Sequence, residues 1–304
     1  TIMFESLLIT GANGFVGQSV LDEIISLPEG QRPSAITIVT RREFPNVNWF
    51  IEQGLNITSV IADLAETWKF NRDFSHVIQL AADGSINAYS EASSREFVKI
   101  SEQLIQWCQL SKNAIEVFHA SSGACFGYQV LDKSQSLSIE WNKEKFVKGR
   151  LQAERILKNA QDDGNLNLRI GRLYSFLGRH IATKVQYAAP SFATMAKRDG
   201  VVRITGSPAT VRSYLDASDM ADWILKSLIE TKYKNPLSIG SSTEVTILEL
   251  ANEVARLIGV EVEVESTLAQ PDRYVADNEE TMTTLGVRET KTWKESIIEF
   301  IENS

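Results

Sequence analysis

Short apolar runs without polar alternation recur along the first part of the chain: Leu7 to Thr10, Ile36 to Thr40, Thr58 to Ile61, Val77 to Ala81, Val117 to Ala120 and Leu166 to Ile170. A strand covered on one face alternates apolar and polar residues, whereas unbroken runs of this length predict strands buried on both faces, as in parallel sheets. Between them, Phe15 to Ser26, Ser93 to Ser111 and Lys145 to Gln161 repeat apolar residues at three- and four-residue spacing, which predicts helices. Strand and helix in turn predict an α/β protein, a doubly wound parallel sheet with helices on both faces. After about Ile170 the pattern loosens. Gly, Pro and Ser punctuate Gly178 to Pro208, and helices are expected at Asp219 to Thr231, Ile247 to Ile258 and Thr292 to Ile301. We therefore divide the chain into a unit of residues 1–170 and a smaller α/β lobe of residues 171–304, with some of the later chain returning to the first unit. No internal repeat is found.

Composition narrows the function classes. The 304 residues are 43% apolar and 23% charged, the proportions of an ordinary globular chain, and no apolar run approaches the ~18 residues of a membrane span. A formal charge of −8 with no Lys/Arg stripe argues against a nucleic-acid partner. The opening lacks the basic-then-apolar pattern of a signal peptide, and Cys108 and Cys125 are the only cysteines, so a reducing cytoplasm is expected.

The first strand runs into Gly11-Ala12-Asn13-Gly14-Phe15-Val16-Gly17, and a helix follows. In that context Gly11 permits a tight turn, Gly14 lets backbone approach a pyrophosphate and Gly17 allows close helix-strand packing, while the free N–H groups at the helix start attract phosphates. This predicts a Rossmann-type dinucleotide site. A carboxylate for the ribose is expected about twenty residues further on, after the second strand, but Arg41 and Arg42 stand there. Two guanidiniums suit a 2′-phosphate, so NADP is expected in preference to NAD; the alternative is that both are solvated loop charges. Asp63, beside Leu64, would accept from an adenine amino group or simply cap a turn. Leu80, Ala81 and Ala82 end the fourth strand with small residues that let a flat ring lie close.

By these and later motifs the chain resembles the extended short-chain dehydrogenase/reductase family, the nucleotide-sugar epimerases, dehydratases and 4-keto reductases. The resemblance rests on TGANGFVG at Thr10 to Gly17, Asp63-Leu64, VIQLAA at Val77 to Ala82 and SSGACFG at Ser121 to Gly127. It continues through RIGRLY at Arg169 to Tyr174, Arg212-Ser213-Tyr214 before Asp216 and Asp219, NPLSIGSS at Asn235 to Ser242, and the stretch from Asp277 to Leu285-Gly286. It implies a nicotinamide cofactor and a nucleotide-sugar ligand. Ser122, beside Ser121, would hydrogen-bond the reacting sugar oxygen, and Arg212 with Tyr214 would meet the diphosphate. Asp216 and Asp219 are expected to fix a loop and cap the next helix. Relatives dimerise through two long helices, so a homodimer through a four-helix bundle of Ser93 to Ser111 and Lys145 to Gln161 is one expectation, and simple packing of these helices on the sheet is the other.

One departure matters. The family's working pair is Tyr-x-x-x-Lys on a helix, and here Phe146 stands at the tyrosine position and Arg150 at the lysine position, with Phe146 24 residues after Ser122. Phenylalanine has no proton to give, and Arg150 stays charged and cannot act as a base, although its fork can still hold a ribose. Three readings follow. In the first, the chain is an enzyme with an atypical proton route through water, substrate, Lys148 or Cys125. In the second, it binds cofactor and nucleotide sugar without turnover, as a regulatory protein. In the third, the site is redirected to other chemistry. His76, His119 and His180 lack metal-ligand spacing, and no metal is expected.

Overall fold

The structure, a computed structural model, describes residues 4–71, 73–82, 86–127, 129–130, 141–182, 187–233, 236–265 and 269–303. Its central sheet has seven parallel strands, β1 (Ser6–Thr10), β2 (Ala35–Thr40), β3 (Ile57–Ile61), β4 (His76–Gln79), β5 (Ile115–Ser122), β6 (Leu166–Leu173) and β7 (Leu237–Ile239). They lie in the order β3-β2-β1-β4-β5-β6-β7.

The strands lack alternation because both faces are covered. Leu7 and Ile9 point into a cluster with Val20, Leu21 and Ile24 of α1 (Phe15–Ser26), while Leu8 between them joins a second cluster on the opposite face. After the short helix α2 (Val47–Glu52), that second face is covered by α3 (Glu91–Gln109) and α4 (Trp141–Gln161), through Ile100, Leu104, Trp107 and Leu157. Each fully buried side chain of this size contributes about 1.5–3 kcal/mol, so the paired clusters fix the sheet between its helix layers.

The smaller lobe contains α5 (Ala188–Asp199), α7 (Ile247–Ile258) and α9 (Trp293–Asn303), with Phe192, Val202, Leu250, Val254 and Phe300 in its core. Between α5 and α7, α6 (Ala217–Ile229) instead packs on α1 and the main sheet through Trp223 and Ile224, and a short α8 (Glu279–Leu285) follows α7. The boundary drawn at residue 170 thus falls within β6, and β7 with α6 belongs to the main sheet. Helix α5 lies within the segment read as irregular. Its Pro190 is the third helical residue, in the first turn where an N–H has no intrahelical acceptor, and Gly200 ends it at φ 69°, so both punctuating residues mark helix ends. Asn235, first residue of the NPLSIGSS stretch, lies outside the described residues. Among the described residues no helix is long and apolar enough to cross a membrane.

Candidate active site

The strand order reverses between β1 and β4, and the chain leaves their carboxyl ends toward opposite faces. Crevices at such a switch point are where open α/β sheets bind ligands. Gly11 leaves β1 at φ 70°, donating its N–H to Val39 O at 3.0 Å. A Cβ there would come within 3.0 Å of Ala81 backbone. Thr10 Oγ1 locks the two ends together by accepting from Leu80 N at 3.1 Å and Ala81 N at 3.3 Å. Gly14 stands at the N-cap of α1 without a side chain over the helix end, and a Cβ on Gly17 would lie 2.5 Å from Ala12 Cα. Asn13 and Gly14 are exposed, whereas Phe15 and Val16 are half-buried against the core. The backbone thus forms a cradle, open at the first amides of α1, that side chains would fill, and it fits a dinucleotide pyrophosphate.

Around this cradle the other expected cofactor residues fall in place unequally. Arg41 and Arg42 are exposed after β2, with Arg41 Nη2 2.7 Å from Glu96 Oε1. Asp63 is exposed and accepts from Ala65 N at 2.9 Å, the turn-capping alternative, and Leu64 is buried. Leu80 and Ala81 are half-buried and Ala82 exposed beyond the end of β4.

The end of β5 meets α4 beside the cradle. Ser122 is half-buried and its Oγ accepts from Ala124 N at 3.2 Å, which starts the tight turn Gly123–Phe126. Ser121 donates its hydroxyl to Glu154 Oε1 at 2.6 Å, and Arg172 on β6 grips the same carboxylate with Nε at 3.0 Å and Nη2 at 2.8 Å. Burial opposes the charge of Glu154, but hydrogen bonds from Arg172 and Ser121 outweigh it and hold the carboxyl below the usual range. Glu154 follows Phe146 and Arg150 at successive four-residue steps, so the three share one face of α4. The Arg150 guanidinium lies 3.4 Å from the Phe97 ring centroid and 4.7 Å from that of Phe146. Burial brings Arg150 down to about 10, which leaves it a cation at neutral pH.

Other groups sort by position. Lys148 faces away and pairs with Glu144 at 2.5 Å on the exposed side of α4. The Cys125 thiol is pushed up by burial and by Glu154. His119 is fully buried beside Phe97, and neither ring nitrogen has a hydrogen-bond partner among the described residues; burial and Arg150 drive it down to about 3. His180 pairs with Asp22 at 2.6 Å, next to Arg179, in a separate polar cavity of about 240 Å³ beside α1.

In the smaller lobe Arg212 donates to Asp272 Oδ1 at 2.7 Å and to Val211 O at 2.8 Å, remaining half-buried. Tyr214, expected to meet substrate beside it, lies instead in the lobe's hydrophobic core at 8% exposure, where its ring supports the strand that carries Arg212. Asp216 caps α6 by accepting from Ser218 N at 2.8 Å, and Asp219 accepts from Thr290 N at 2.7 Å, so both acids hold loops as expected. Sequence reasoning missed two features. The place of Glu154 was signalled by its spacing from Phe146 on α4, but its partner Arg172 on β6 was not, and Tyr89, whose ring touches Phe146 at 5.3 Å between centroids, left no local signal.

Switch point, glycine cradle and polar strand ends define a dinucleotide-binding protein of the Rossmann type. The model of the NAD dependent epimerase/dehydratase family matches residues 7–240, and the chain belongs to that family. UDP-glucuronic acid decarboxylase 3 of Arabidopsis thaliana is 26% identical over 127 residues, which are 42% of this chain and 37% of that protein. The chain spans less than half the length of this and the other curated relatives it matches. In fold it is similar to MoeE5 in complex with UDP-glucose and NAD, with a TM-score of 0.76 and 19% identity over 98% of this chain and 97% of the other. It is also similar to UDP-N-acetylglucosamine 4-epimerase from Methanobrevibacter ruminantium M1 in complex with UDP-N-acetylmuramic acid, with a TM-score of 0.80 and 17% identity over 99% and 98%.

Proposed function

We propose that the chain is an oxidoreductase of nucleotide sugars, of the epimerase, dehydratase or 4-keto-reductase kind, working with NADP in preference to NAD. The observation that carries the reading is the convergence of the glycine cradle at Gly11 and Gly14 with Ser122 and Arg150 at the carboxyl side of one sheet. A bound nicotinamide dinucleotide supplies hydride exchange with a sugar carbon. Gly11, Asn13 and Gly14 with the start of α1 would hold the pyrophosphate. Arg41 and Arg42 would take the 2′-phosphate, and Arg150 the nicotinamide ribose. Ser122 would hold the sugar oxygen at which hydride leaves or arrives, with Ser121 keeping the strand end fixed through Glu154. Arg212, part-exposed, would meet the diphosphate by exchanging Asp272 for phosphate oxygens. A second copy would pair through α3 and α4, whose outward sides carry Lys99, Glu102, Leu151 and Arg155, and sedimentation velocity tests that assembly.

Titration calorimetry with NADP and NAD, followed by UDP-glucose, dTDP-glucose, CDP-glucose and GDP-mannose on the tighter complex, tests the reading when the nicotinamide absorbance is followed in the same samples. Saturable binding with a change in the band supports it. Binding of both ligands with a flat band would instead mean a non-catalytic binding protein, the reading that the missing hydroxyl at Phe146 raises. A chain that binds none of them is neither.

A further inference from the structure

The phenol absent from α4 has a neighbour that carries one. Tyr89 closes the short turn Ile86–Tyr89 after β4, and its ring meets Phe146 at 5.3 Å between centroids, with the planes at 57°. Arg150 approaches the same phenyl ring to 4.7 Å. One side chain on α4 is therefore in contact with both a phenol and a fixed cation. The junction is held firmly. Ser90 caps α3 by accepting from Ser93 N at 3.1 Å, and Ser94 Oγ donates to Lys145 O at 2.9 Å. Gly149 packs so closely that a Cβ would come 2.9 Å from Ser94 Cβ. Tyr89 remains 38% exposed, so a ligand can reach it.

We propose that Tyr89 is the proton-transfer residue of this site, acting from the turn after β4 in place of a hydroxyl at position 146. The proposal rests on the oxidoreductase reading above. In the oxidative direction the O–H bond of the sugar hydroxyl breaks and its proton passes to the Tyr89 phenolate oxygen. The adjoining C–H bond breaks with both electrons, which leave as hydride to the dinucleotide, and the carbinol becomes a carbonyl. The reductive direction returns hydride to the carbon and the phenol proton to the oxygen.

The other candidates are placed less well. Lys148 is engaged with Glu144 on the outer side of α4, and the thiol of Cys125 faces Ser121 and the Glu154 carboxylate. Arg150 interacts electrostatically with Cys125, Tyr187 and Tyr89, so both phenols must be tested. Tyr187, at the start of α5 and 61% exposed, serves as the control. Lys145 and Arg95 also lie at this junction, and both pair with Glu91, at 3.4 and 3.2 Å.

The experiment compares wild type, Tyr89→Phe and Tyr187→Phe, with Phe146→Tyr added to the Tyr89→Phe background. Binding of NADP and the four sugar nucleotides is measured by calorimetry, hydride transfer by single-turnover absorbance, and phenol ionisation by ultraviolet difference titration without ligands. Tyr89→Phe is expected to bind as wild type does, to lose about 10²- to 10⁴-fold in hydride transfer, and to remove one phenol from the ultraviolet titration. Tyr187→Phe keeps its rate, and Phe146→Tyr restores part of what Tyr89→Phe lost. A Tyr89→Phe protein with the wild-type rate, or the loss appearing in Tyr187→Phe instead, overturns the proposal. Wild type that binds both ligands yet transfers no hydride overturns the role of Tyr89 and leaves the binding sites standing. Wild type that binds neither overturns the oxidoreductase reading itself.

Discussion

Glu154 on α4 and Arg172 on β6 form a two-pronged ion pair with side chains only 4% and 10% exposed, and Ser121 at the end of β5 donates to the same carboxylate. The pair ties the helix that carries Phe146 and Arg150 to two adjacent strand ends. Replacing Glu154 with Ala leaves Arg172 buried without a counter-charge, and removing one partner of such a pair costs about 3–5 kcal/mol. Urea unfolding of Glu154→Ala should show that loss. A change below about 1 kcal/mol would mean that water reaches Arg172 and the pair does not organise the site.

Acid should destabilise the fold through two groups whose folded pKa values are depressed. Burial first, and Arg150 next, keep His119 neutral down to about 3, whereas a free histidine protonates near 6.5. Between those values the unfolded chain binds a proton that the folded chain refuses, so stability present above about 6.5 falls by about 1.4 kcal/mol per pH unit on acidification. Glu154, also depressed, adds to the loss below about 4.3, the ordinary glutamate value. Urea midpoints should fall steadily from pH 7 to pH 4, and His119→Leu should flatten that slope. An unchanged slope in the variant would show that His119 does not titrate as its burial requires.

The glycines of the cradle are held to different tolerances. Gly17→Ala places a Cβ 2.5 Å from Ala12 Cα, a backbone atom that cannot swing aside, so the start of α1 must shift. Overpacking of this kind costs about 1–3 kcal/mol. Gly11→Ala meets the φ of 70°, a left-handed conformation costing about 1–2 kcal/mol, and closes on Ala81 as well. Both variants should lose NADP affinity in calorimetry by more than their stability loss requires at the assay temperature. Full affinity in Gly17→Ala would place the pyrophosphate elsewhere.

What the sequence revealed and what it hid separate along physical lines. The cradle was legible because Gly11, Gly14 and Gly17 act within a single strand-turn-helix unit, and the buried strands because Leu7, Leu8 and Ile9 must each meet apolar neighbours on whichever face they take. Helix α5 was obscured because Pro190 and Gly200, breakers within a helix, are tolerated at its two ends. Strand β7 was lost among the pieces of the smaller lobe, since its place beside β6 depends on a return of the chain that no local pattern encodes. Arg212 and Tyr214 were read as one unit from a motif, yet the strand ends at Arg212, which pairs with Asp272, while Tyr214 beyond it packs in the lobe's hydrophobic core. Tyr89 meets Phe146 across the α3 and α4 junction, a tertiary contact that spacing cannot reveal.

The preference proposed for NADP turns on Arg41, whose guanidinium lies 2.7 Å from Glu96 at a site more than half exposed on the arginine side. An exposed pair of this kind is weak, so Arg41 can leave Glu96 for a phosphate that offers more acceptor oxygens. Hydrogen bonds to a charged group contribute about 1.5–3 kcal/mol, so Arg41→Ala should weaken NADP binding by about ten- to a hundred-fold and leave NAD nearly unchanged. Glu96→Gln should act in the opposite sense, because it frees the guanidinium and removes a negative charge from the neighbourhood of the 2′-phosphate. Calorimetric titration of both variants with both cofactors separates the cases. Equal losses for NADP and NAD would mean that Arg41 shapes the end of β2 without reading the ribose, and the preference for NADP would then fall with it.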